Sequence, residues 1–181
     1  MTSAWTIYES PLGPLTLIAG DAGLRRLLFP GADRPGGDAE HDPAALAAIV
    51  AQLEEYFAGE RRRFDVELDL RGTPFQQAVW SQLLTIPYGS TRSYGELART
   101  IGRPDRARAV GAAVGATPVP IIVPCHRMIG ADGSLTGYGG GLPRKRALLD
   151  LEASVATGLQ SLLQPWSSSQ GASATSAVPS A

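Results

Sequence analysis

The sequence places a cysteine, a histidine and an arginine side by side, at Cys125, His126 and Arg127, directly after a proline-rich apolar stretch. A cysteine reacts as its thiolate, and a neighbouring imidazole can accept the thiol proton directly or through a water molecule. An isolated cysteine is more often a small buried hydrophobe, and an isolated histidine is more often satisfied in the core. Their adjacency favours a nucleophile with its base.

The single cysteine limits the other kinds of chemistry. Cys125 has no second cysteine for an intramolecular disulfide, and only His41 and His126 are present as histidines among 181 residues. A zinc site of cysteine and histidine ligands needs more residues than these, so we predict neither a metal nor a cofactor. A cysteine protease needs a distant histidine, and His41, in an acidic loop, is a poor candidate.

A glycine-rich segment follows, at Gly137-Tyr138-Gly139-Gly140-Gly141. Its backbone can approach a planar ligand and present amide N–H groups, although generic glycine-rich turns look the same. It lacks the Lys-Ser/Thr ending of a phosphate-binding P-loop, so a nucleotide triphosphatase is not supported.

The charges are distributed unevenly around a net charge of -1. Residues 1–70 hold 6 basic and 12 acidic side chains, residues 71–152 hold 10 and 5, and residues 153–181 hold none. The middle of the chain therefore has the charge to bind a polyanion. No stretch has the ~20 apolar residues that span a bilayer, and the start lacks the order of a secretory signal, so we expect a cytoplasmic protein without membrane contact.

The N-terminal zone, residues 1–70, predicts a small α/β subdomain. Apolar stretches around Thr6–Tyr8 and Leu15–Ile18 flank a turn and predict a hairpin, with a third strand from Leu24 to Phe29. Asp42-Pro43 predicts the start of a helix that Gly59 ends. The alternation in Phe64–Leu70 predicts a strand with one wet face.

The next zone, residues 73–153, predicts a mostly helical domain. Thr73–Gln76 and Ser93–Glu96 each have the form of a capping box that begins a helix. Asp105 can cap a third helix, Arg106 to about Gly115, and Pro143 can begin a fourth. The second and third helices, joined by a tight turn with Arg103, fit a helix-turn-helix. Residues 154–181 form a C-terminal extension that we predict to be largely disordered.

The third helix is built of alanine and glycine, with Arg106 and Arg108 at its start. Glycine inside a helix costs up to about 1 kcal/mol relative to alanine, so Gly111 requires close packing or the close approach of a ligand. A small-residue face lets a helix lie deep against a nucleic acid, but it also fits packing against another helix with the arginines as solvated surface. From these residues alone the two interpretations are equal.

These motifs in this order closely resemble the O6-alkylguanine-DNA alkyltransferase family, also called methylated-DNA-protein-cysteine methyltransferases. The resemblance runs from about Thr73 to Glu152. It is carried by Ile86-Pro87-Tyr88-Gly89, Ser93-Tyr94-Gly95-Glu96-Leu97-Ala98, Arg108-Ala109-Val110-Gly111, Pro124-Cys125-His126-Arg127, Tyr138-Gly139-Gly140-Gly141 and Leu148-Leu149 through Glu152. The first zone is similar, more loosely, to the family's N-terminal subdomain with its ribonuclease H-like sheet.

The resemblance implies single-turnover DNA repair with base flipping, because the O6-alkyl group of a stacked guanine is out of reach. It implies that Cys125 attacks the alkyl carbon of O6-alkylguanine, or of O4-alkylthymine, that His126 relays the thiol proton through a water, and that Glu152 orients the histidine. Tyr94 matches the tyrosine that donates to a ring nitrogen of the leaving guanine.

The pocket for the alkylguanine is implied in the same way. The Gly139 amide contacts O6, the carbonyls of Cys125 and Met128 accept from the exocyclic amine, and Tyr138 lies in the same pocket. The family generally has asparagine where this chain has Thr117, whose hydroxyl cannot bridge two sides as an amide can.

The implied partner is double-stranded DNA with alkylated bases, bound in the minor groove by a monomer. Arg108 matches the arginine that fills the stack after the base has left it, and the third helix then lies in the groove. We assign DNA contacts to a set of six residues on the two helices and their connection: Tyr94, Gly95, Arg103, Arg106, Arg108 and Gly111.

Two other functions share part of this pattern. A binding-only damage sensor, like the alkyltransferase-like proteins, lacks the cysteine that this chain has, although Thr117 keeps that alternative open. An alkylation-sensing transcription factor needs a further cysteine-rich metal module, which one cysteine cannot supply.

Overall fold

The fold was analysed in a computed structural model, which describes residues 3–31 and 39–158. The N-terminal part holds strands β1 (Ser3–Ser10), β2 (Gly13–Gly20), β3 (Gly23–Leu28) and β4 (Ala39–His41). They form one sheet in the order β3-β2-β1-β4. The first three strands are the predicted antiparallel hairpin and its extension, whereas β4 pairs parallel with β1 inside a segment that looked like loop.

Helix α1 (Pro43–Phe57) covers this sheet and begins as predicted. The carboxylate of Asp42 accepts a hydrogen bond from the Ala45 N–H at 3.1 Å, and Pro43 occupies the first turn, where its missing N–H costs nothing. Leu46, Leu53 and Tyr56 lie on the buried side of the helix. Gly59, with φ +76°, supplies the left-handed residue that ends it.

The predicted strand Phe64–Leu70 is wrong for most of its length. The segment pairs with β3 at a single bridge between Leu24 and Leu68. The Leu24 N–H donates to the Glu67 carbonyl, and the Asp69 N–H donates to the Leu24 carbonyl. Side-chain exposure still alternates along Phe64–Leu68. The alternating sequence pattern indicates an extended chain with one buried side. A β-strand also needs hydrogen bonds to a neighbouring strand along its length.

Four helices form most of the C-terminal part: α2 (Pro74–Leu83), α3 (Tyr94–Thr100), α4 (Ala107–Gly115) and α5 (Leu142–Ala156). Both predicted capping boxes are present, at Thr73 for α2 and at Ser93 for α3. The predicted Asp105 cap is wrong, because α4 begins at Ala107 after Arg106 without a side-chain cap.

Helix α4 packs against α2 and α3, and the indole N–H of the buried Trp80 donates to the Ala113 carbonyl at 2.9 Å. The connection between α3 and α4 is short, residues 101–106. Strands β5 (Arg92–Ser93) and β6 (Met128–Ile129) pair in parallel and join the start of α3 to the residues after Cys125.

The predicted domain boundaries, 1–70, 73–153 and 154–181, stay predictions. Helix α5 ends at Ala156, and the predicted disorder of the extension falls mainly on residues outside the described ones. Within the described ranges, no helix has the length and apolar character needed to cross a membrane.

Candidate active site

Cys125 begins a short 3₁₀ turn, Cys125–Arg127, at the end of a buried irregular stretch. This stretch, residues 118–124, is the proline-rich apolar segment noted in the sequence. It folds back on itself, with a single bridge between Pro120 and Val123 and with Ile121 at φ +76°. A positive φ is unusual for a β-branched residue, so the surrounding packing holds this turn in place. The turn leaves the Cys125 side chain 4% exposed.

His126 contacts Glu152, as the resemblance implied. Its Nε2 lies 2.8 Å from Oε1 of Glu152, and both side chains are fully buried. Because an ionised carboxylate only accepts, Nε2 carries the hydrogen and Nδ1 has a free lone pair. The Nδ1 atom is buried and has no hydrogen-bond partner among the described residues.

Three further groups hold Glu152, and sequence reasoning missed all of them. Arg127 donates from Nε to Oε2 and from Nη2 to Oε1, both at 2.9 Å. The hydroxyl of Tyr56 donates to Oε1 at 2.8 Å, and the Gly89 N–H donates to Oε2 at 3.1 Å. Arg127 stood in the noted motif without a role, whereas Tyr56 carried only the signal of a core residue.

The charges within this group balance. Burial opposes ionisation of Glu152, but the hydrogen bonds of His126 and Arg127 and the charge of Arg127 outweigh it and lower the pKa of the carboxyl to about 2. Burial, together with the charges of Arg127 and Lys145, lowers the pKa of His126 more than Glu152 raises it, so the imidazole is neutral near pH 7. The pair of full charges is therefore Glu152 with Arg127.

Burial also raises the pKa of the Cys125 thiol to about 11. Hydrogen bonds of the Thr117 side chain and the Ile121 backbone, and the charge of Lys145, offset only part of this effect. The thiol is therefore protonated near neutral pH and needs a base to react.

A cavity of about 560 Å³ reaches Cys125. Tyr138, Gly139 and Thr117 line it, whereas Met128 is fully buried outside it and Tyr94 does not line it. The N-terminal part contributes another wall, which sequence reasoning missed, made of residues 26–31.

The glycine-rich segment is fixed against that wall. A side chain at Gly140 would meet the Phe29 ring, because a Cβ there would lie 2.7 Å from it. Arg144 donates to the Gly140 carbonyl at 2.8 Å and to the Leu12 carbonyl at 3.0 Å. The ring of Tyr138 packs edge-on against Phe29.

Tyr94 is the first residue of α3, and its hydroxyl accepts a hydrogen bond from Thr136 Oγ1 at 3.2 Å. Its own proton is therefore available to another acceptor. Gly111 of α4 faces this ring, but a Cβ there would lie 3.7 Å away, an ordinary contact. Close packing among the residues that the structure describes thus gives no reason for the glycine.

Arg103, Arg106 and Arg108 lie on the surface at the α3–α4 connection and the first turns of α4. Among the described residues, none of their side chains has a hydrogen bond or an ion pair. Gly95 lies nearby in the first turn of α3. These residues form an exposed basic surface, which we call the arginine edge and define by the three arginines.

The described residues hold no group of three histidine, cysteine, aspartate or glutamate side chains able to bind a metal ion.

Comparison with known families gives two matches that together cover most of the chain. The ribonuclease-like domain of 6-O-methylguanine DNA methyltransferase matches residues 4–70, and the DNA binding domain of the same family matches residues 74–154.

Curated relatives agree. A methylated-DNA–protein-cysteine methyltransferase of Mycobacterium tuberculosis is 60% identical over 148 residues, which are 81% of this chain and 90% of the relative. One of Methanosarcina acetivorans is 48% identical over 154 residues, covering 83% and 98%. The crystal structure of Mycobacterium tuberculosis OGT in complex with DNA superposes with a TM-score of 0.80 at 56% identity, covering 84% of this chain and 94% of that one.

Proposed function

The chain belongs to the 6-O-methylguanine DNA methyltransferase family, and we propose that Cys125 is the residue that accepts the alkyl group. The protein repairs alkylated DNA by transferring that group from the damaged base to a cysteine of its own chain. Cys125 is the single cysteine of the sequence. The observation that carries the proposal is the buried contact of the adjacent His126 with Glu152.

The proposed reaction follows from the protonation states. The thiol of Cys125 gives its proton, through water, to Nδ1 of His126, while Glu152 holds the opposite side of the ring. The S–C bond forms as the bond between the alkyl carbon and O6 breaks, and the electron pair of that bond stays on the guanine. The resulting thioether is not a nucleophile, so each protein molecule acts once.

The leaving guanine needs a proton donor, because it is a poor leaving group as an anion. We assign this role to the Tyr94 hydroxyl, whose acceptor side is occupied by Thr136. Gly139 and Tyr138 line the cavity at Cys125, and we propose that the Gly139 N–H donates to O6 of a guanine bound there. We propose that the carbonyls of Cys125 and Met128 accept from its amine, which requires the base to reach beyond the cavity lining, because Met128 and Tyr94 lie outside it.

We propose that the base leaves the stack to reach Cys125, since a thiol only 4% exposed cannot touch a stacked guanine. Arg108 then fills the vacated position, and α4 lies in the minor groove. A Cβ at Gly111 would make only an ordinary contact with the Tyr94 ring, so packing among the described residues does not require the glycine, and this supports the placement. Arg103, Arg106 and Gly95 contact the backbone near the same helices.

The remaining sequence-based predictions stay proposals of the same kind. We expect a monomer, because one protein molecule supplies every residue assigned above. Since the substrate is DNA, we expect the protein to work in the cytoplasm that holds it. The damage-sensor alternative is disfavoured by Cys125 and its relay to Glu152.

Intact-protein mass spectrometry tests the acceptor. The protein is mixed with a duplex oligonucleotide that carries one O6-methylguanine, and we expect a mass gain of one CH₂ group, located at Cys125 by peptide mapping. The Cys125→Ser variant serves as the control and gains nothing. Intact lesion beside unmodified Cys125, or repeated turnover by one protein molecule, contradicts the proposal.

A further inference from the structure

Tyr56 connects the two halves of the molecule at the proposed relay. It lies in α1, in the half that matches the ribonuclease-like domain, and its side chain is fully buried. Its hydroxyl donates to Oε1 of Glu152, 96 positions later in the chain, at 2.8 Å. The same oxygen atom receives the hydrogen bond of His126.

The geometry at Oε1 makes this contact more than a packing detail. Three donors converge on the oxygen: Nε2 of His126, Nη2 of Arg127 and the Tyr56 hydroxyl. Arg127 and Gly89 hold the other oxygen. Of these partners only Tyr56 comes from the N-terminal half, so it fixes where α5 and its carboxylate lie relative to α1.

We propose that Tyr56 is a positioning residue for alkyl transfer, acting through Glu152 on the orientation of His126. This inference rests on the roles proposed above for Cys125, His126 and Glu152. It gives the N-terminal half a direct part in the reaction, in addition to its part in the cavity wall.

A hydroxyl placed here acts differently from an apolar ring of the same shape. It is a donor to an ionised carboxylate, and burial and the nearby charge of Glu152 raise the pKa of Tyr56, so it keeps its proton. Removing the hydroxyl leaves the ring packing against Phe64 and Tyr88 in place. The substitution leaves Oε1 with two hydrogen-bond donors, so the orientation of the Glu152 carboxylate is less restricted.

Tyr56→Phe is the test, and the chain offers a matched control in Tyr88→Phe. The Tyr88 ring lies 6.0 Å from that of Tyr56, and its hydroxyl is buried without a hydrogen-bond partner in the described ranges of the chain. Both substitutions remove one buried hydroxyl and keep one ring. Only the first removes a hydrogen bond to Glu152.

We measure single-turnover rates on a methylated duplex and on free O6-benzylguanine, at a temperature well below the melting points of all three proteins. We expect Tyr56→Phe to slow both reactions about 3- to 10-fold, which corresponds to part of one charge-assisted hydrogen bond. The affinity for DNA should stay unchanged, and Tyr88→Phe should react like the native protein.

A pH profile adds a readout that a purely structural role does not move. A carboxylate with fewer donors favours a positive charge on His126, so the acid limb of the rate profile should shift to higher pH in Tyr56→Phe. The other groups that interact electrostatically with His126 or Glu152, namely Arg127, Lys145, Tyr88 and Tyr138, are present in both proteins.

The possible results distinguish a failure of the proposed function from a failure of the inference about Tyr56. If the native protein leaves Cys125 unmodified, the proposed function fails before any variant is made. If the native protein reacts and Tyr56→Phe matches Tyr88→Phe on both substrates, the inference is overturned. Slowing on the duplex alone also overturns it, because it places Tyr56 in DNA binding.

If Tyr56→Phe is partly unfolded at the assay temperature, its rate is divided by the folded fraction, measured by circular dichroism in the same buffer. A rate per folded molecule equal to that of Tyr88→Phe overturns the inference, whereas slowing that persists after this division supports it.

Discussion

The buried group around Glu152 and the exposed arginine edge are built in opposite ways. In the Glu152 group every charge has a partner within the protein, and Arg127 and Glu152 share two hydrogen bonds in the interior. At the arginine edge, Arg103, Arg106 and Arg108 have no such partner among the described residues. The side chains of the proposed reaction are therefore already in position before DNA binds, whereas the arginines of the arginine edge have no partner among the described residues and can contact the DNA.

This difference has an energetic reason. A buried charge without a partner costs several kcal/mol, so a reaction centre of charged groups has to be paired within the fold. A surface arginine remains hydrated and costs little until it meets a phosphate or a base. Substitutions in the first region should thus affect stability and chemistry together, and those in the second should affect only reactions on DNA.

The largest effect is expected for Glu152→Gln. The amide cannot neutralise Arg127, which stays buried without its counter-charge, so we expect a loss of about 3–5 kcal/mol in the free energy of unfolding. Transfer should slow by about 100-fold or more, because the neutral amide no longer stabilises the positive charge that His126 gains, although its oxygen can still accept from Nε2. Urea unfolding and single-turnover rates measure both quantities.

Asp150→Asn is the matched control for that experiment, because Asp150 is an exposed carboxylate on the same helix. It should leave both quantities within error of the native values. A Glu152→Gln variant as stable as Asp150→Asn would mean that the buried pair does not carry the proposed cost.

Arg108→Ala tests the other region. Repair of a methylated duplex should slow about 10- to 100-fold, the size of a contact worth about 1–3 kcal/mol, while reaction with free O6-benzylguanine and the melting temperature stay the same. Arg146→Ala, another exposed arginine, is the control and should change neither reaction. Equal slowing on both substrates would place Arg108 in a structural role and erase the contrast between the regions.

The pH dependence of stability should come from the buried region. The pKa of His126 is lowered in the folded protein, so below its usual value the unfolded chain takes up a proton that the folded one does not. Stability should then fall as the pH drops below about 6.5, by up to ~1.4 kcal/mol per pH unit. Glu152, with a pKa of about 2, adds a second loss only below its usual value of 4.5.

Urea unfolding between pH 7 and 5 measures this slope. His126→Gln should remove it, whereas His41→Gln should keep it, because His41 is exposed on β4. An equal slope in both variants would assign the pH dependence to other groups.

Sequence predicted the elements that depend on local contacts. The capping boxes at Thr73 and Ser93 and the Asp42-Pro43 helix start were confirmed, because each is decided within four residues. The strand predicted at 64–70 was wrong because a strand depends on a partner far along the chain. The Asp105 cap is the exception, since it was wrong although it is a local feature. A strand pattern shows which side chains are buried, but it does not show whether a neighbouring strand is present.

The same distinction applies to the site. The contact of His126 with Glu152 could be predicted through the resemblance, and the structure has it. Tyr56 could not, because its spacing in α1 is that of any core residue, and its hydroxyl finds Glu152 only after the two halves pack. The signal for such a residue is a buried tyrosine hydroxyl that needs an acceptor, and this appears only in three dimensions.

The smallest effect is expected for Thr117→Asn, at the cavity wall between the two regions. Thr117 already donates from Oγ1 to the Val114 carbonyl at 2.7 Å, at the end of α4. An asparagine amide can keep that bond and add one more across to the turn before Cys125, worth about 0.5–1.5 kcal/mol. Since 1 kcal/mol shifts the melting temperature of a domain this size by about 2–4 °C, we expect a rise of a few degrees and a small gain in transfer rate.

Thr117→Val, which loses the hydroxyl without a replacement, is the control and should melt lower than the native protein. If the Thr117→Asn and Thr117→Val variants both melt lower than the native protein, the packing of the turn is adapted to the threonine hydroxyl. Thr117 then belongs with the residues whose contacts are complete within the fold, like those around Glu152.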